Sequence, residues 1–199
     1  MKENLLLVFC KNPVLGKVKT RLAAQIGNEN ALTVYKKLLT KTAQVINDLS
    51  CNIVLYYSDS VIEDDEFNTT AEEKKVQQGL DLGARMANAF INGFKAHEKI
   101  VIIGTDLWTL ESEDIENAFS ALEQHTAVLG PSLDGGYYLL GLKKFIPRVF
   151  ENKAWGTSEV FSKTMADLKE SEVYLLNEKN DIDTLEDLQQ HPDLEACIH

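Results

Sequence analysis

Cysteine is scarce: the chain has three in 199 residues, Cys10, Cys51 and Cys197, odd in number and far apart. No pair has zinc-site or redox-motif spacing, which excludes a disulfide framework and points to reduced thiols. Long apolar runs are lacking as well. Residues 5–9 (Leu-Leu-Leu-Val-Phe) are too few for a signal core or a membrane span, and they follow only Lys2 with no small-residue cleavage site. The expectation is a cytoplasmic protein without a membrane span. Positive charge is in deficit, with 20 basic against 31 acidic residues and a formal net charge of -11. Such a surface repels a polyanion, so no nucleic-acid partner is expected. The chain also lacks internal repeats, low-complexity tracts and Gly/Ser linkers, and its length suits one domain over residues 1–199 with a sizeable core.

Two catalytic patterns fail on inspection. The Walker pattern is absent, because Gly16-Lys17 is followed by Val18 and has no glycine five positions earlier. The nucleophile elbow suggested by Gly130-x-Ser132 has Asp134 in place of its last glycine, and it leads into a strand-like run, not a helix. None of the histidines at 97, 125, 191 and 199 has a triad context.

What is present alternates strand-like and helix-like segments. Residues 5–9, 53–57 and 100–103 are apolar runs that read as strands covered on both faces. Between them, a short helical turn over 21–26 precedes a long amphipathic helix capped by Asn28, and a third helix starts at Asp81. Residues 58–73 read as an acidic surface loop, and 75–78 as a short edge strand. Farther on come a helix at 112–124, strands at 126–130 and 137–142 around the Asp134-Gly135 turn, a helix at 158–169, a strand at 173–176 and a helix from Thr184. This order predicts an α/β fold: three α/β/α layers around a mainly parallel, mixed sheet.

Lys11, Lys17, Lys19 and Arg21 fall within eleven residues, where even spreading would put about one basic residue. Their loop leaves the first strand at its carboxyl end, where open α/β sheets bind ligands, so phosphate is the expected guest and a solvated basic loop the alternative. Arg21 would grip phosphate oxygens as a fork, with Lys19 acting as a point charge. Asp106 follows the third core strand by two residues, on the same sheet edge. One or two carboxylates, with phosphates and water, suffice for Mg²⁺, whereas a turn or N-cap residue is the competing reading. Asp181 and Asp183 offer a second carboxylate or, equally, a helix N-cap. Glycines 130, 135 and 136 permit close approach of a ligand, with Asp134 ready to bind a hydroxyl, although Asp-Gly is also a plain hairpin signal. Trp155 would border an acceptor pocket or simply pack. Cys10 reads as an inert packing residue.

The segments Phe9-Cys10-Lys11-Asn12-Pro13-Val14-Leu15-Gly16-Lys17-Val18-Lys19-Thr20-Arg21, Gln78-Gly79-Leu80-Asp81-Leu82-Gly83-Ala84-Arg85, Gly104-Thr105-Asp106, Gly130-Pro131-Ser132-Leu133-Asp134-Gly135-Gly136, Trp155-Gly156-Thr157-Ser158 and Asp183-Thr184-Leu185-Glu186-Asp187-Leu188 recur in order along nearly the whole chain. Together they resemble a bacterial family of glycosyltransferase-like, radical-SAM/selenodomain-associated transferases. The resemblance implies the nucleotide-diphospho-sugar transferase (GT-A) fold and kinship with molybdenum-cofactor and phospholactate guanylyltransferases. It implies an Mg²⁺- or Mn²⁺-dependent transferase that moves a nucleotidyl or glycosyl group from a nucleoside triphosphate or nucleotide-sugar to a small acceptor. By the same resemblance Asp106, with Asp183, would hold the metal. Lys19, Arg21 and Asp106 would be catalytic, and Lys11, Gly16, Lys19, Arg21 and Arg85 would bind the nucleotide. Asp134, Gly135, Gly136 and Trp155 would bind the acceptor. The alternative is a non-catalytic nucleotide-binding or partner-binding protein on the same fold. Its support is Trp108, where the family commonly has proline, implying a reshaped acceptor pocket or weakened catalysis.

Overall fold

The structure, a computed structural model, describes residues 3–198. A seven-stranded sheet in the order β3-β2-β1-β4-β6-β5-β7 forms its middle layer. Strands β1 (Asn4–Cys10), β2 (Asn52–Tyr57), β3 (Glu73–Val76) and β4 (Lys99–Ile103) run parallel, while β6 (Tyr137–Leu142) is antiparallel to both β4 and β5 (Ala127–Pro131). β7 (Val173–Leu175) closes the far edge parallel to β5. The three-layer mixed α/β arrangement is the one predicted, and β5 and β6 form the hairpin around Asp134-Gly135.

Side chains alternate across the sheet with the strand period of two. Leu6, Val8 and Cys10 of β1 join one core, and Leu5, Leu7 and Phe9 join the other. The first core lies under helices α1 (Thr20–Ile26), α2 (Asn28–Ile46), α4 (Ser112–Ala121), α6 (Leu185–Gln189) and α7 (Pro192–Glu195), which contribute Leu22, Tyr35, Ile115, Leu188 and Leu194. The second lies under α3 (Leu82–Gly93), the 3₁₀ turn Pro147–Phe150 and α5 (Val160–Asp167). Both faces of the central strands are thus dry, which is why those strands read as unbroken apolar runs.

Several local expectations shift. Gly27, at φ 86°, both ends α1 and opens α2, so Asn28 is the first helical residue and not its cap. The edge strand begins two residues earlier than expected, because Val54 to Tyr57 pair with Glu73 to Val76. Gln77 has left the strand, and its side-chain amide donates to the carbonyls of Cys10 and Tyr56, each at 3.1 Å. Residues 58–73 are more than a surface loop. Phe67 is buried in the first core, and Asp65 accepts hydrogen bonds from Tyr57 and from Lys74, the latter at 2.7 Å. At α3 the expected start holds: Asp81 caps the helix by accepting from Ala84 N at 2.8 Å.

Strand order decides where a ligand can sit. β1 continues toward β2 and β3 on one side, and the chain then returns to lay β4 on the other. The crevice outside the carboxyl ends of β1 and β4 is therefore the switch point at which open α/β sheets bind ligands.

Candidate active site

Two loops meet at that crevice, and Tyr35 of α2 joins them. Its hydroxyl accepts from Lys11 N (2.8 Å), donates to Lys11 O (3.0 Å) and lies 3.3 Å from Thr105 Oγ1. Asn12, buried, anchors the same β1 loop to the loop after β2, donating to Ser60 O at 2.8 Å and accepting from Asp59 N at 3.0 Å. The phosphate-loop candidate is thus fixed at its root by the Tyr35 side chain and by backbone atoms of residues 59 and 60.

Lys19 lies at the end of this loop, immediately before α1, in a left-handed conformation (φ 47°, ψ 45°). A residue with a β-carbon in this region stores strain, and such strain collects at functional sites. Its ammonium is buried between two carboxylates: Nζ is 2.5 Å from Asp106 Oδ1 and 3.0 Å from Asp183 Oδ1. Burial works to depress the Lys19 pKa, but the charges of Asp106 and Asp183 override it and hold the ammonium above its usual range. Arg21 reaches the same cluster more loosely, at 3.7 Å from Asp183 Oδ2. The two carboxylates are 44% and 41% exposed, so water or a ligand can approach them.

Asp183 arrives from the opposite end of the chain. Segment 176–184 runs along the hairpin, with Leu133 N donating to Lys179 O (3.0 Å) and Ile182 N to Asp106 O (3.0 Å). Ile182 is fully buried and fixes the register, leaving Asp181 and Asp183 on either side of it. The helix-cap reading of these aspartates is corrected: Thr184 caps α6, in a reciprocal capping box with Asp187. Asp187 also accepts from Asp183 N at 3.1 Å, so the cap sets the backbone that carries Asp183. Asp181, partly buried, receives a hydrogen bond from Ser132 Oγ at 3.3 Å, and its carboxyl is pushed up to about 7 by burial and by the nearby Asp106 charge. Among the described residues no group of three or more His, Cys, Asp or Glu side chains is arranged to hold a metal unaided.

Beside the carboxylates opens a cavity of about 480 Å³. Of the expected binding residues, Lys11, Arg85, Asp106, Asp134, Gly136 and Trp155 line it. Gly16, Lys19, Arg21 and Gly135 do not, nor does Asp183; Lys19 and Asp183 reach the cavity only through Asp106, which Lys19 contacts. Gly16 sits on the outer part of the loop near Asn28, at φ 75°. Gly135 has a packing role: a β-carbon there would lie 2.3 Å from Ser158 O, and its own carbonyl accepts from Phe161 N at 2.9 Å. Gly83 in α3 allows the helix to approach Trp155, since a β-carbon would fall 2.7 Å from the indole Nε1. Trp108 is absent from the cavity wall. Its indole turns toward α7 and donates to Asp193 Oδ2 at 3.0 Å, so it does not reshape this pocket. Cys10 lines the cavity as an inert group, its thiol pKa raised by burial. Tyr35, Asp187 and Tyr137 were not singled out in the sequence. Only the capping pattern Thr184-x-x-Asp187 carried a local signal for any of them.

The model of the bacterial family described as "Uncharacterized protein conserved in bacteria" (DUF2064) matches residues 41–157, over half the chain. The crystal structure of a proposed nucleotide-diphospho-sugar transferase from Desulfovibrio desulfuricans G20 is 34% identical, covers 94% of this chain and 85% of its own, and superposes with a TM-score of 0.87. More distant structures share the fold. The 4-diphosphocytidyl-2C-methyl-D-erythritol synthase of Anaerococcus prevotii DSM 20548 has 14% identity and a TM-score of 0.58, covering 98% of this chain and 99% of its own. Rv0371C of Mycobacterium tuberculosis H37Rv in complex with manganese has 13% identity and a TM-score of 0.56, covering 94% and 97%. No curated protein matches the chain. Among the described residues no helix is long and apolar enough to cross a membrane. The chain belongs to the DUF2064 family.

Proposed function

Starting from that membership and from the geometry above, we propose that residues 1–199 form one transferase domain that uses a divalent metal, Mg²⁺ or Mn²⁺. Its donor is a nucleoside triphosphate or a nucleotide-sugar, and its acceptor is small. The observation that carries this reading is the contact of Lys19 with both Asp106 and Asp183 at the sheet's switch point, beside a cavity of about 480 Å³.

The donor set fits the metal. Asp106 and Asp183 present hard, half-exposed carboxylate oxygens on either side of one buried ammonium. Two carboxylates with substrate phosphates and water complete an Mg²⁺ site of the usual kind. When bound, the metal would neutralise charge growing on the leaving diphosphate.

The chain's own residues do the rest. Lys19 and Arg21 meet the phosphates from the α1 side, and Lys11 and Arg85 meet them from the cavity wall. Asp134, Gly136 and Trp155 flank the acceptor. In nucleotidyl transfer an acceptor phosphate oxygen attacks the α-phosphorus and pyrophosphate leaves. In glycosyl transfer an acceptor hydroxyl attacks the anomeric carbon, its proton passes to solvent or a nearby carboxylate, and the nucleoside diphosphate leaves. We favour nucleotidyl transfer, the reaction of the guanylyltransferases that the sequence resembles, because Asp106-Leu107-Trp108 has no second carboxylate of the glycosyltransferase D-x-D type. The non-catalytic alternative rested on Trp108, which faces α7 instead of the cavity.

The deciding experiment pairs Mn²⁺–nucleotide binding with a product assay over a panel of nucleotides, nucleotide-sugars and phosphorylated acceptors. Asp106→Asn is expected to weaken Mn²⁺–nucleotide binding and to lower turnover by about 10²–10³-fold, as loss of a charge-stabilising group does. An Asp106→Asn protein that binds Mn²⁺–nucleotide as well as wild type refutes the metal assignment.

A further inference from the structure

Lysine is rarely buried, and where it is, opposite charge holds it. The Lys19 side chain is 4% exposed, whereas Arg21, two residues on, is 69% exposed and reaches Asp183 Oδ2 at 3.7 Å. The two cations differ in what they meet. Lys19 Nζ contacts Asp106 Oδ1 at 2.5 Å and Asp183 Oδ1 at 3.0 Å, one oxygen from each carboxylate assigned above to the metal. An ammonium and a divalent cation both seek such a pair of hard oxygens, and at contact distance they repel each other. They cannot hold the same two oxygens together.

The backbone shows how Lys19 can yield them. Its carbonyl accepts from Ala23 N at 2.7 Å in the first turn of α1, which fixes the root of the side chain. The charge itself rides on a flexible four-carbon stem, so it can change partners while the main chain stays put. A new partner must be an anion close to Asp106 and Asp183, because a buried ammonium without a counter-charge is costly. Phosphate oxygens that arrive with a metal meet that condition.

We propose that Lys19 is a resident counter-ion of the metal site, and that it exchanges partners when the site fills. In the resting protein its ammonium neutralises Asp106 and Asp183. On filling, it gives up both carboxylates to the metal and takes the phosphates instead. A metal alone meets a cation on its ligands, and a phosphate alone meets an ammonium already engaged. Only the two together leave every charge with a partner, so one side chain couples their binding. The inference rests on the metal-dependent reading above and adds to it the order in which the site fills.

The probes are Mn²⁺ alone, pyrophosphate in metal-free buffer, and the preformed Mn²⁺–pyrophosphate complex. Each is titrated by calorimetry into wild type and Lys19→Met. The readout is a coupling factor, the Mn²⁺ affinity with pyrophosphate present divided by that without it. Association of Mn²⁺ with pyrophosphate in solution is common to both proteins and cancels in the comparison. Lys19→Met is expected to bind Mn²⁺ alone about tenfold or more tightly, and its coupling factor is expected to fall about tenfold or more. Lys19→Gln should give the same result, so misfolding of one variant leaves the test standing. A coupling factor within about threefold of wild type overturns the exchange. If Asp106→Asn abolishes Mn²⁺ binding in that case, the exchange alone has failed and the metal assignment survives. Absence of Mn²⁺ binding in wild type and variants, with or without pyrophosphate, overturns both.

Discussion

Replacing Lys19 separates the electrostatic from the conformational part of the site. In wild type its side chain is 4% exposed and its ammonium contacts two carboxylates that remain nearly half exposed. Removing one partner of a buried ion pair costs about 3–5 kcal/mol when the other charge is stranded in the interior. Here Asp106 and Asp183 keep access to water, so Lys19→Ala is expected to cost less, about 1–2 kcal/mol. Lys19→Gly loses the same ion pairs but also relieves the left-handed backbone (φ 47°), which costs about 1 kcal/mol for a residue with a β-carbon. The glycine variant should therefore be the more stable of the two by about 1 kcal/mol, or about 2–4 °C in Tm for a chain this long. Urea unfolding of wild type, Lys19→Ala, Lys19→Gly and Lys19→Met measures both differences. Lys19→Met should also bind Mn²⁺ alone about tenfold or more tightly, because a cation within a few ångströms no longer opposes the metal. Equal stability of the Ala and Gly variants would refute the strain argument. Unchanged Mn²⁺ affinity in Lys19→Met would refute the claim that the ammonium sits where it competes with a metal.

Two further predictions concern the supports of the site. Burial tends to raise the Asp187 pKa, but hydrogen bonds from Asn180, from Thr184 and from the backbone of Asp183 outweigh it and hold the carboxyl below its usual range. A depressed carboxyl stabilises the fold above its unfolded pKa of about 3.9, and that contribution is lost as pH falls through the still lower folded value. Asp187→Ala should cost about 0.5–2 kcal/mol at pH 7, the value of a helix cap, and the gap to wild type should close below about pH 4 in thermal melts. Phe67→Ala should cost about 3–5 kcal/mol by urea unfolding, since its ring is 1% exposed and packs in the core; a loss under 1 kcal/mol would return residues 58–73 to the status of a surface loop.

By itself the sequence determined the layers and the sheet edge on which chemistry gathers. Runs such as 5–9 and 100–103 can be satisfied only by strands dry on both faces, and each such strand hands its next residues to the same rim. That logic placed Lys19 and Asp106 at one crevice although 87 positions separate them. Tertiary structure alone decided the rest. The contact of Asp183 with Lys19 depends on Ile182 seating in the core and donating its N–H to Asp106 O, a register with no local signature. The edge strand slipped by two residues because pairing with β2, not its own composition, sets its bounds. Trp108 turned to α7 because Asp193, 85 residues on, offers the indole a carboxylate. Tyr137 looks like any strand aromatic until the fold seals its hydroxyl without a partner. Local patterns encode periodicity and caps. Which distant side chains meet is settled by packing, and the work of this site is done by such meetings.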